Sequence, residues 1–121
     1  MSRDDATFLD MLEACRSALE FLGTMDRTQF ASDKKARSAV LHQLVVLGEA
    51  TKRLSAEFRD RNPNIPWREM AGMRDRLIHA YDRVDLDMVW VALKKRLPVL
   101  RDFLEQQTRR SGQSPDSQPG A

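Results

Sequence analysis

Apolar residues recur along this chain at the three- and four-residue intervals of an α-helix, and no stretch alternates as a β-strand does. Phe8, Met11, Leu12, Cys15, Ala18, Leu19 and Leu22 form a first stripe, and Gly23 supplies a stop. Ser32 reads as an N-cap ahead of Asp33, whose charge suits a helix N-terminus. A second stripe follows: Ala36, Val40, Leu44, Leu47, Thr51, Leu54 and Phe58. It predicts one helix of about seven turns. Its heptad-like seam is long enough to serve a dimer as well as a bundle.

Pro63 and Pro66 end that pattern, and Pro66 suits the first turn of a short new helix that Gly72 closes. Another helix is expected from Met73 to about Tyr81, and Asp85 caps the next. That last one carries Leu86, Val89, Trp90, Leu93, Leu97, Leu100 and Leu104 on one face, with Pro98 inside it as a kink or break. The fold class is therefore all-α. A helical domain over residues 1–110 precedes the polar tail SGQSPDSQPGA at 111–121, which is expected to be disordered.

Composition narrows the function classes. Hydrophobic residues make up 41% of the 121 and charged residues 31%, which is globular, and no apolar run approaches a membrane span. The opening MSRDDATFLD has acids where a secretory signal has bases and a hydrophobic core, so a cytoplasmic location is expected. Cys15 is the only cysteine, which excludes an intrachain disulfide, and its place on an apolar stripe marks it as core. A net charge of +2 and a pI near 9.0 permit an RNA partner without arguing for one, because acids and bases are interspersed.

The segment RDRLIHAYD, residues 74–82, holds one of two histidines and the single tyrosine. On an ideal helix Arg74 and His79 lie about 140° apart. Arg74, Ile78 and Tyr81 share one face, and Asp75 and His79 share another. Two readings fit this spacing. In the first, Asp75–His79 is an ordinary surface pair, Arg74 is solvated and Tyr81 packs half-buried. In the second, His79 is a base with a reference pKa near 6.5 and Arg74 a permanent planar cation. No metal-ligand spacing, glycine-rich phosphate loop or nucleophilic serine motif accompanies them. Such a pair suits metal-free cleavage of RNA, in which the ribose 2′-OH is the nucleophile and the protein supplies a proton acceptor and a cation.

The stretch GEATKRLSAEFRDRNPNIPWREMAGMRDRLIHAYDRVDLDMVW, residues 48–90, resembles the HepT-like toxins of the HEPN superfamily. The resemblance extends over roughly residues 5–105. It rests on Gly48-Glu49-Ala50, Leu54-Ser55 and Ile65-Pro66-Trp67 joined to the arginine–polar–histidine pattern of Arg74, Asp75 and His79, with a tyrosine two beyond the histidine at Tyr81. Asparagine is commoner than aspartate at the position of Asp75. The resemblance implies a bundle of four to five helices and a homodimer whose sites face a shared cleft. It also implies a metal-independent ribonuclease toxin without a cofactor, in which His79 is the general base, Arg74 the phosphate-binding residue and Asp75 a supporting one. The implied partners are RNA and a minimal nucleotidyltransferase antitoxin that transfers AMP to Tyr81, with no membrane. A non-catalytic binding subunit of a nucleotidyltransferase complex, or a nucleotide-binding accessory, stays open at this point.

Other residues have simpler readings. His42 lies off the seam and reads as solvated, and Glu49 reads as a surface glutamate sooner than as a partner of Arg74. Trp67 and Trp90 read as core aromatics. Gly48 costs its helix about 1 kcal/mol against alanine, which points to a close helix approach.

Overall fold

The computed structural model describes residues 3–79 and 85–110, and every regular element among them is helical. The helices are α1 (Arg3–Leu22), α2 (Arg27–Ser32), α3 (Lys34–Lys52), α4 (Ala56–Arg61), α5 (Trp67–His79), α6 (Leu86–Val91) and α7 (Leu97–Arg110), with a π-helical turn at Ala92–Arg96. The longer helices α1, α3, α5 and α7 make the bundle, and α2, α4 and α6 are short connectors. The tail expected to be disordered lies outside the described residues. No helix among them is long and apolar enough to cross a membrane.

Helix α3 is the centre: α1 packs on one side of it and α5 on another, while α7 packs on α1. The C-terminal end of α3 meets the N-terminal half of α1, where Arg53 reaches Asp10 and Ser55 is held by Asp4. The two helices therefore run antiparallel. Between them lie Met11, Cys15, Ala18, Val40, Leu44 and Leu47, all fully buried. The Phe58 ring joins Phe8 at 4.6 Å, Trp67 at 5.9 Å and Phe103 at 6.2 Å, tying α4 to the starts of α1 and α5 and to α7.

Several boundaries differ from the periodic pattern, each for a local reason. Asp26 and Gln29 form a reciprocal capping box that starts α2, a helix the apolar stripes did not mark. Ser32 closes α2, and Asp33 rather than Ser32 caps α3, its carboxylate accepting from Ala36 N–H at 2.9 Å. The seven-turn seam is two helices. Ser55 takes extended backbone angles, its hydroxyl accepts from Phe58 N–H, and Asp4 accepts from both its N–H and its hydroxyl. The seam residues from Val40 to Phe58 are buried inside the one chain, so the seam carries no argument for a second copy. Gly72 does not end a helix either: α5 runs through it from Trp67 to His79, burying Trp67, Met70, Met73 and Leu77.

At Pro98 the helix neither breaks nor simply kinks. The preceding turn widens to a π turn, Leu97 N–H donates to Ala92 C=O, and Pro98 falls in the first turn of α7, where a missing N–H is tolerated. Asp85 caps α6 as expected, accepting from Asp87 and Met88 N–H groups. Cys15 is fully buried, and that burial pushes its thiol up to about 12.

Candidate active site

Helix α3 approaches α5 closely at Gly48. A Cβ there would lie 2.3 Å from Arg74 Cβ and 3.2 Å from Met70 C=O, so only glycine allows this packing. The glycine lets the stem of Arg74 lie flat against α3, which brings its guanidinium to the residues flanking Gly48. Arg74 Nη2 donates to Glu49 Oε1 at 3.1 Å, and Nη1 donates to Asp75 Oδ1 at 3.0 Å. Lys52 Nζ donates to the same Asp75 oxygen at 2.7 Å. Four charged side chains from two helices thus form one chain of contacts, Glu49–Arg74–Asp75–Lys52.

The electrostatics follow from these contacts. Hydrogen bonds to Asp75 and then Glu49 raise Arg74 above its ordinary value. Those from Lys52 and then Arg74 hold Asp75 below the usual carboxylate range. Arg74 and Asp75 therefore stay ionised at neutral pH. Arg74 is the least exposed of the four, with 27% of its side chain accessible against 43–48% for its partners. Its Nε is buried with no hydrogen-bond partner among the described residues. An open groove of about 750 Å³ begins at Asp75 and passes Gly72 towards Pro66 and Arg59. No atom lies within 4 Å of where a Gly72 Cβ would stand, so this glycine leaves the groove wide without being needed for packing.

Arg74 and Asp75 are brought together with their partners on α3. His79 is the last residue of the same helix, five positions on. Tyr81 lies outside the described residues. Glu49 is not merely a surface glutamate: it holds Arg74. Lys52 was not singled out by its sequence context, although a signal was there. A glycine in mid-helix marks the face that meets a neighbour, and positions one and four beyond it flank that face. His42 is exposed, Trp67 buried and Trp90 half-buried against Phe30 at 6.1 Å, none of them in the cluster.

The comparisons with known proteins point to one family. Residues 11–107 match the family model described as Ribonuclease HepT-like. The chain is 41% identical over 106 residues to "Probable ribonuclease HepT" of Thermococcus cleftensis, covering 87% of this chain and 96% of that protein. It is 36% identical over 104 residues to "Putative RNase MJ1380" of Methanocaldococcus jannaschii, covering 85% and 95%. No solved structure is a significant match. With matched residues running from the middle of α1 into α7, and so through the whole Gly48–Arg74 contact, the chain belongs to the HepT-like ribonuclease family.

Proposed function

We propose that this chain is a toxin that cleaves RNA without a metal, using Arg74 and His79. The observation that carries the proposal is the fixed guanidinium of Arg74, set against α3 by Gly48, held by Glu49 and by Asp75, which lines an open groove, and placed five residues before His79 on α5. His79 takes the proton of the ribose 2′-OH, and that oxygen attacks the adjacent phosphorus. The 5′-oxygen leaves and takes up a proton, giving a 2′,3′-cyclic phosphate. Arg74 neutralises the charge that builds on the phosphate, and Asp75 orients Arg74. A fixed cation aimed at developing charge contributes most in such a reaction. A positioned base adds roughly 10²- to 10⁴-fold.

In the same reading two copies face each other across the α5 surface. Ile78, one turn beyond Arg74 on the same face, is 43% exposed, an apolar side chain that a second copy would cover. Tyr81 is the control point. Its hydroxyl oxygen gives up its proton and attacks the α-phosphorus of ATP on a partner nucleotidyltransferase, pyrophosphate leaves, and the bound AMP adds a negative phosphate that repels RNA.

The test is cleavage of RNA by the purified chain in excess chelator, with product ends identified. Wild type is expected to leave cyclic phosphate, and Arg74→Ala and His79→Ala to lose most activity while staying helical. Full activity in either variant, or an absolute need for magnesium, overturns the mechanism. An inactive wild type that binds a nucleotidyltransferase tightly would instead make it an interaction subunit.

A further inference from the structure

We infer that Lys52 is a second phosphate-binding residue of this site, so that the RNA phosphodiester is held between Lys52 on α3 and Arg74 on α5. This deepens the ribonuclease reading and rests on it for the identity of the ligand. The geometric basis is the shared oxygen: Lys52 Nζ at 2.7 Å and Arg74 Nη1 at 3.0 Å both donate to Asp75 Oδ1. The two nitrogens can be no farther apart than those two bonds laid end to end. Two non-bridging oxygens of a single phosphate reach donors at that separation.

Donor capacity remains on both sides. An ammonium has three N–H groups and a guanidinium five. One is committed at Lys52 and two at Arg74 in these contacts. Lys52 is also accessible, with 43% of its side chain exposed, and it sits in the last turn of α3.

Charge gives a reason for the lysine. Glu49 and Asp75 together already balance Arg74 and Lys52, and without Lys52 the cluster would carry a net negative charge and repel a phosphate. Cleavage then places further negative charge on the phosphorus oxygens, which one guanidinium shared between two carboxylates meets poorly. Stability explains less, because a half-exposed lysine–carboxylate pair adds little to a fold. Asp75 accordingly serves as a spacer that sets the two cations side by side.

The experiment measures binding of a single-stranded RNA oligonucleotide to the full chain carrying His79→Ala, across a range of salt concentrations. Each phosphate contact to a single strand contributes about 0.7 to the slope of log affinity against log salt. Adding Lys52→Ala should make the slope shallower by about that amount and weaken binding at low salt. Lys52→Arg should restore both, and the helical content should not change. A Lys52→Ala slope equal to that of the parent overturns the inference and leaves Lys52 as a prop for Asp75. Cleavage by the chain with histidine intact is scored separately. A chain that binds RNA through Lys52 without cutting it sinks the ribonuclease reading alone, and one that cuts RNA with an unaltered Lys52→Ala slope sinks this inference alone.

Discussion

Gly48 and Arg74 are in contact because Gly48 has no side chain: a methyl at Gly48 would overlap the Arg74 Cβ at 2.3 Å. The overlap falls on an atom next to the backbone of α5, so it cannot be relieved by swinging the end of a flexible side chain. Gly48→Ala should gain about 1 kcal/mol of helix propensity and lose more than that to overpacking, which costs about 1–3 kcal/mol. The expected outcome is a lower midpoint in urea and a loss of RNA cleavage larger than the stability change explains. An alanine variant as stable and active as wild type would mean that α3 and α5 do not meet as described.

Gly72 offers the opposite case. It lies inside α5 with open space where its Cβ would be. Gly72→Ala should therefore stabilise the chain by up to about 1 kcal/mol, since only the backbone cost of glycine is removed. Thermal unfolding of the two glycine variants side by side should give shifts of opposite sign.

The contrast between these glycines also shows how far the sequence could be read. The helical class, the stripe of α1 and the Asp85 cap follow from period and local chemistry, and both are properties of single segments. Gly48 was legible as a close approach, but not which residue of α5 it approaches, because that depends on how two helices cross. The seam from Ala36 to Phe58 kept its period across a break, since the break is made by a serine cap that Asp4, fifty-one residues away, holds in place. Gly72 looked like a stop only because a glycine in a helix carries no label saying whether it packs, ends or merely costs. A motif singled out Arg74, Asp75 and His79 as candidates, whereas the contact of Lys52 with Asp75 needed the crossing of α3 and α5.

Cys15 gives a stability prediction with a defined pH window. Burial raises its thiol from 9.0 to about 12, against a smaller lowering by the charge of Arg101. Above pH 9 the unfolded chain loses this proton while the folded chain keeps it, so stability should fall as pH rises from 9 towards 12. Between pH 8 and 10 the thiol should account for about 1 kcal/mol of that loss. Urea unfolding of wild type and Cys15→Ala at both pH values measures it as the difference between the two pH dependences. Equal dependences would show that the thiol ionises as easily folded as unfolded.

Asp75 should respond to the loss of its charge differently from the loss of its oxygen. Lys52 and Arg74 both donate to Oδ1, and they hold its carboxyl below the ordinary range. A depressed carboxylate keeps its contribution above the unfolded value and loses it only as pH falls through the lowered one. The contacts of Asp75 with Lys52 and Arg74 should thus persist as pH drops through 5. Activity lost between pH 7 and 5.5 should track a group other than Asp75. Asp75→Asn keeps an oxygen that can accept from both cations, so it should retain cleavage near the wild-type level with the same acid limb. Asp75→Ala removes the spacer and should lose on the order of tenfold or more in kcat/KM. The pH–rate profiles of the three proteins decide it: an acid limb that moves in Asp75→Asn would show that Asp75 itself is the group titrating.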